Sequence, residues 1–284
     1  MKDSVSVKLG LIQMKMTKDS TRNITRAAEM VKKAASQGAQ IVCLPELFSS
    51  IYFPQTKNSD AVAESIPGKT TKMLGRIARE NHVVLVGGSI FEKDRKRLYN
   101  TSVVFDVDGR FLGKYRKVHI PQDESFYEQE YFSSGNQYKT FKTRFGKISV
   151  LICFDQWYPE PARICKLNGA DFIFYPTAIG TVRGIEQTEG SWHEAWETVQ
   201  RGHAISNSVV VAAVNRVGVE GDMTFWGGSF VSDQFGNILR RSGDKEGIVV
   251  VDCNQALSRD IESGWGFLRN RRPRTYSKIL SDNS

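Results

Sequence analysis

Apolar positions along this chain change period in a regular order. Over residues 27–35 they recur as one face of a helix, and Gly38-Ala39 then leads into an unbroken apolar run, Ile41-Val42-Cys43-Leu44, that stops at Pro45. A helical period followed by a short continuous run reads as an amphipathic helix feeding a strand buried on both faces. The same order recurs later: a helix over 161–167 passes through Gly169-Ala170 into Phe172-Ile173-Phe174-Tyr175 and stops at Pro176. A helix over 71–80 and a strand over 83–86 are matched by a helix over 194–206 and a strand over 209–212. Each half then offers a hairpin, 101–105 with 111–117 around Asp108-Gly109, and 228–232 with 238–241 around Phe235-Gly236-Asn237. Each half also opens with a strand, 7–13 and 148–153.

Two α-plus-β units of the same order each have a sheet with one helix-covered face and one face still apolar, and stacking those faces buries both. The expected fold class is α/β, a four-layer α-β-β-α sandwich of two pseudo-repeated halves. No Gly/Ser/Pro-rich linker separates the halves, so residues 1–284 are expected to form a single domain.

Composition narrows the picture. With 40% hydrophobic and 11% aromatic residues in 284, the chain can bury a sizeable core. No apolar run approaches the ~20 residues needed to cross a bilayer, and the N-terminus lacks the basic-then-apolar layout of a signal peptide, so a cytoplasmic protein without a membrane partner is expected. The four cysteines, Cys43, Cys153, Cys165 and Cys253, are far apart and read as reduced thiols. His82, His119, His193 and His203 form no zinc-type spacing; neither a metal nor another cofactor is expected. The net charge of +8 raises a nucleic-acid partner, but the basic residues are spread out except at Arg269-Asn270-Arg271-Arg272-Pro273-Arg274. A solvated basic surface is the reading, with no nucleic acid.

The sharpest chemical signal is Leu151-Ile152-Cys153-Phe154-Asp155-Gln156-Trp157-Tyr158-Pro159-Glu160. An apolar strand ends at a cysteine, and Pro-Glu announces a helix start. At such a turn the helix terminus favours thiolate and supplies N–H groups for an oxyanion; a buried structural cysteine is the rival reading. Glu46 directly follows the proline-ended strand, where a carboxylate needs water or a partner such as a thiol or ammonium. Thr177 holds the equivalent place in the second half, so the scaffold does not itself demand a carboxylate. Lys117 ends the first hairpin; a strand-end lysine is ordinarily solvated, but thiol attack on an amide carbonyl needs a base and a cation for the developing oxyanion.

Together, Leu44-Pro45-Glu46-Leu47, Tyr115-Arg116-Lys117-Val118-His119 and Cys153-Phe154-Asp155-Gln156-Trp157 resemble the three signature segments of the nitrilase superfamily of carbon–nitrogen hydrolases. The resemblance implies the α-β-β-α sandwich, catalytic Glu46, Lys117 and Cys153, no metal, and a homodimer or higher homo-oligomer. It further implies that Glu46 carries the thiol proton, that Lys117 and the Phe154 N–H hold the oxyanion, and that Glu128 is the family's second glutamate, with Glu130 close by. Tyr52-Phe53-Pro54, Tyr175-Pro176-Thr177-Ala178-Ile179-Gly180 and Gly264-Trp265-Gly266 resemble the N-carbamoylputrescine amidase branch, whose substrate is a ureido compound of the polyamine pathway. Phe154, Asn270 and Gln122-Asp123-Glu124-Ser125 depart from that branch.

Substrate-binding expectations fall on Tyr52, Trp157 and Trp226 as walls, and on Glu124, Glu186 and Glu189 as loop acceptors for a cationic end. The tail, about 258–284, is expected at an oligomer interface. An ω-amidase, a β-ureidopropionase, a catalytically silent binding protein and a Cys-His protease are the rival readings.

Overall fold

The computed structural model describes residues 6–281. The first half runs β1 (Ser6–Gln13), α1 (Ser20–Ser36), β2 (Ile41–Cys43), α2 (Lys69–Asn81), β3 (Val84–Val86), β4 (Ile90–Asp94), β5 (Arg97–Phe105) and β6 (Phe111–Arg116), followed by a small hairpin of β7 (Gln122–Asp123) and β8 (Phe126–Tyr127). The second half runs β9 (Thr140–Thr143), β10 (Gly146–Val150), α3 (Pro159–Leu167), β11 (Phe172–Thr177), β12 (Gly180–Val182), α4 (Trp192–Asn207), β13 (Val210–Asn215), β14 (Val217–Glu220), β15 (Met223–Trp226), β16 (Phe230–Ser232), β17 (Ile238–Arg241), β18 (Gly247–Asn254) and α5 (Ala256–Gly264).

Local chemistry sets the helix starts. The Asp19 carboxylate accepts the Arg22 N–H at 3.1 Å, and Ser191 Oγ accepts the Glu194 N–H at 3.2 Å, each satisfying a donor with no partner inside its helix. Pro159 opens α3, where a missing N–H costs nothing. The cap at Asp19 begins α1 well before residue 27, because its first two turns are mostly polar and carry little apolar period.

The two main sheets repeat each other. One orders its strands β18-β1-β2-β3-β5-β4, with β6 also paired to β5; the other is β17-β16-β13-β11-β10-β9. Thus β1-β2-β3-β5-β6 corresponds to β10-β11-β13-β16-β17, the order of the repeat read in the sequence. β9 adds antiparallel to β10 within the second half, and β18, from the end of the second half, crosses to add antiparallel to β1, from Ser6 opposite Asn254 to Gln13 opposite Gly247.

Alternation along the strands builds the layers. Leu9, Leu11, Ile41 and Cys43 share one core with Ile148, Val150, Phe172 and Phe174 between the sheets. The alternate positions Ile12, Val42 and Leu85 pack with Ile24, Val31 and Leu74 beneath α1 and α2. The result is the four-layer α-β-β-α arrangement.

Two features depart from expectation. β11 does not stop at Pro176 but continues to Thr177, opposite Val214 and Asn215 of β13. Its ladder with β10 ends at Phe174, so no neighbour on that side requires the N–H that proline lacks. A third sheet, β12-β15-β14, is new; Leu47, Tyr52 and Phe53 pack with Val182, Met223 and Phe225 beneath it.

After α5 the chain carries exposed Trp265, Ile279 and Leu280 through short 3₁₀ turns, Pro273–Thr275 and Ser277–Leu280. Residues 282–284 of the tail expected at an interface lie outside the described residues. Among the described residues no helix is long and apolar enough to cross a membrane.

Candidate active site

The ends of four elements converge. Glu46 lies three residues past the end of β2, Lys117 directly follows β6, Cys153 lies three residues past the end of β10, and Glu128 opens the 3₁₀ turn Glu128–Glu130 behind β8. All four are buried; Glu46 and Glu128 have no accessible surface, and Lys117 has 1%. Taking such charges out of water is tolerable only if they are paired. Lys117 Nζ donates to Glu46 Oε1 at 3.0 Å and to Glu128 Oε1 and Oε2 at 2.8 and 2.7 Å. Asn100 Nδ2, inside β5, donates to the same Glu46 oxygen at 2.8 Å, and Tyr52 Oη donates to Glu128 Oε1 at 2.8 Å. Glu46 Oε2 is left buried with no partner among the described residues.

Burial alone would discharge Lys117, but Glu128, Glu46 and the Cys153 site reverse this and hold the ammonium well above its ordinary range. Burial pushes Glu128 up from the usual carboxylate range, against the opposing pull of Lys117. The thiol behaves differently from the sequence expectation of a favoured thiolate. Burial, and then the charge of Glu46, push Cys153 well above the ordinary thiol range, with Lys117 opposing them. The 3₁₀ turn Cys153–Trp157 is too short for its end to outweigh that desolvation. Cys153 is therefore a protonated thiol at neutral pH, and its attack on a carbonyl needs a base.

The nucleophile turn is strained and braced. Cys153 has φ +44°, in the left-handed region that costs a non-glycine residue free energy. Asp155, fully buried, accepts from the Ile152 N–H at 2.9 Å, from Tyr115 Oη at 2.7 Å and from the His119 N–H at 3.0 Å, and meets His119 Nδ1 at 2.8 Å. It thereby ties the Cys153 turn to the strand end that carries Lys117. Thr177, the counterpart of Glu46, donates through Oγ1 to Gln156 Oε1 at 3.4 Å and so braces the same turn from the other side.

Glu128 rather than Glu130 reaches Lys117; Glu130 is exposed and accepts from Gln122 Nε2 at 3.0 Å. Phe154 follows Cys153 at the start of the turn, where N–H groups have no intrahelical acceptor. Tyr52, expected as a wall, is buried and commits its hydroxyl to Glu128. Trp157 and Trp226 pack into an aromatic cluster around Trp196 and Phe230. Glu124 and Glu186 lie exposed on their loops. His119 pairs with Asp155, and His203 Nε2 lies 2.8 Å from the Gln156 carbonyl oxygen.

Sequence reasoning missed Asn100, Asp155 and the buried pair Arg216–Glu220. Asn100 and Arg216 gave the signal that singled out Glu46: a polar group within or at the end of an apolar strand. Among the described residues, no group of three or more His, Cys, Asp or Glu side chains is arranged to hold a metal ion.

An α-β-β-α sandwich whose strand ends gather a neutral thiol, a buried ammonium and two carboxylates defines the class: a hydrolase-type site for polar carbonyl compounds. The chain belongs to the carbon–nitrogen hydrolase family, whose sequence model matches residues 8–262. It is 37% identical to an N-carbamoylputrescine amidase of Solanum lycopersicum, over 97% of this chain and 95% of that protein. It is 33% identical to a citrullinase of Francisella tularensis, over 97% and 98% of the two chains. A carbon–nitrogen hydrolase from Helicobacter pylori G27 superposes with a TM-score of 0.91 at 34% identity, covering 98% of this chain and 99% of that one. The protein is an amidohydrolase of the nitrilase superfamily.

Proposed function

We propose that this amidohydrolase cleaves the ureido group of N-carbamoylputrescine, with Cys153 as nucleophile, Glu46 as proton carrier, and Lys117 and the Phe154 N–H as oxyanion donors. One observation carries the chemistry: Glu46 is gripped through Oε1 by Lys117 and Asn100 while Oε2 stays buried, without a partner among the described residues, beside a thiol that needs a base. Cys153 adds to the carbamoyl carbon as its proton passes to Glu46. A C–N bond breaks as that proton is delivered to the leaving nitrogen, since an amine leaves poorly as an anion. Water attacks the S-carbonyl carbon and returns the thiol, releasing a carbamic acid whose remaining C–N bond breaks as it collapses to carbon dioxide, so that one ureido compound and one water give amine, carbon dioxide and ammonia. Glu128 orients Lys117 throughout.

A neutral ureido head and a cationic tail fit the polar inventory better than a carboxylate-bearing substrate does. Arg216 is committed to Glu220 and to backbone carbonyls, and exposed Arg183 pairs with Asp222. Glu124 and Glu186 are the acceptors proposed for the cationic tail. The citrullinase relative supports a second ureido compound, L-citrulline, whose far end carries an α-ammonium but, unlike putrescine's, also a carboxylate.

Ammonia release from N-carbamoylputrescine, L-citrulline, N-carbamoyl-β-alanine and succinamate tests this. The expected kcat/KM for N-carbamoylputrescine exceeds that for N-carbamoyl-β-alanine by ~10² or more. Cys153→Ala is expected to abolish turnover, and Glu46→Gln to lower kcat by ~10² or more with the fold intact. Preference for L-citrulline, N-carbamoyl-β-alanine or succinamate, each of which bears a carboxylate, would move the substrate assignment, and a near-normal Glu46→Gln enzyme would remove Glu46 from the mechanism.

A further inference from the structure

Behind Glu46 lies a second buried ion pair that the chemistry above does not use. Arg216, immediately after β13, has no accessible surface, and Glu220, at the end of β14, has 6%. Arg216 Nη1 donates to Glu220 Oε1 and Oε2 at 2.8 and 3.0 Å and to the Ser50 carbonyl at 3.3 Å; Nη2 donates to the carbonyls of Glu46 at 2.7 Å and Leu47 at 3.0 Å. Glu220 Oε2 in turn accepts the Tyr52 N–H at 2.6 Å. One charge pair from the second half thus grips both ends of the segment from Glu46 to Tyr52. That segment delivers Glu46 beside Cys153 at one end and, at the other, the Tyr52 hydroxyl to Glu128. The grip holds a conformation that would not persist unaided, since Leu47 sits at φ +45°.

A buried ion pair is a poor device for stability alone, because desolvation offsets most of its attraction and an apolar pair of like volume does as well. Its directed hydrogen bonds do what apolar packing cannot: they fix carbonyl positions to within a bond length. We infer that Arg216 and Glu220 are positioning residues for the hydrolytic reaction, a clamp that sets the reach of Glu46 toward the leaving nitrogen. The inference rests on Glu46 as proton carrier, and it holds for whichever amide or ureido substrate the enzyme accepts.

The test separates proton delivery from thiol reactivity. Cleaving a C–N bond needs a proton on the departing nitrogen, whereas alkylation of Cys153 by iodoacetamide forms an S–C bond and expels iodide, which needs none. Glu220→Gln keeps shape and packing, and Arg216→Lys keeps charge but loses the planar fork. For each, turnover of the panel compound that the wild type hydrolyses fastest would be measured beside iodoacetamide labelling, circular dichroism and Tm. Expected in at least one folded variant is a fall in kcat of roughly tenfold or more, KM within about threefold, and Cys153 labelling within about threefold of wild type. Unchanged kcat in both, or kcat falling only in step with labelling and Tm, would reduce the pair to a structural brace and overturn the inference. If both variants failed to fold, the pair would be a stability element and the inference would likewise fall. Rejection of N-carbamoylputrescine by the wild type bears on the substrate assignment alone, since each comparison is made on the compound actually hydrolysed.

Discussion

At Lys117 one ammonium bridges two carboxylates in a volume with no accessible surface. Its strand neighbour Arg116 spends its fork on Glu92, at 2.8 and 2.7 Å, so two consecutive cations at the end of β6 serve different anions. Removing the ammonium leaves Glu46 and Glu128 desolvated and facing each other, a situation that typically costs 3–5 kcal/mol, on the order of a third of a domain's stability. Lys117→Met is therefore expected to lower the urea midpoint sharply and to abolish turnover. Adding Glu128→Gln should recover part of the stability, because one of the two unpaired charges is gone, while activity stays lost. A double variant no more stable than Lys117→Met would show that the two carboxylates do not share the ammonium's charge as the distances indicate. The sequence made Lys117 a candidate only through its company; that it is buried follows from pairing with residues 71 and 11 positions away.

At the scale of elements, the site depends on where strands stop. Pro45 ends β2 and turns Glu46 inward, and Gly88, after β3, is packed directly against that stop. A Cβ built on Gly88 would lie 2.1 Å from the Pro45 carbonyl oxygen and 2.9 Å from that of Leu44, at a backbone φ of +55° that side chains rarely adopt. Gly88→Ala must displace the turn that carries Glu46, at a cost of roughly 1–3 kcal/mol. The expected outcome is a lower Tm together with kcat reduced by about tenfold or more. A variant with wild-type kcat would show that the Pro45–Glu46 turn shifts without moving the carboxylate. The long helices and central strands were legible because each repeats an apolar period over several residues. The three short strands of the third sheet were not, since three or four residues carry too little period to separate strand from loop, although their sheet covers the segment that links Glu46 to Tyr52.

For the whole molecule, the inter-sheet core contains all four cysteines. Burial pushes Cys43 well up and Cys165 and Cys253 up to about 12. Unfolded thiols release their protons near ~8.5, so below that pH both states hold them and the stability contribution is complete. Above it the unfolded chain binds fewer protons than the native one, and stability is lost progressively until the native thiols titrate, a slope of about 1.4 kcal/mol per pH unit for each thiol. Urea midpoints are expected to fall from pH 8 to pH 10.5, and Cys253→Ala to flatten that fall. A flat wild-type profile would mean that the core thiols ionise in place.

The sequence by itself determined the repeat, the strand order within each half, the sandwich and the strand-end residues with chemical promise, because each is written in a local period or in a polar residue set against an apolar run. Tertiary structure decided the rest: that β18 crosses to the first half's sheet, that Glu128 and not Glu130 meets Lys117, that Cys153 is held as a neutral thiol, and that Arg216 grips Glu46 across 170 positions of chain. These depend on distances and on water excluded when remote segments pack together, and a one-dimensional pattern carries neither until the chain has folded.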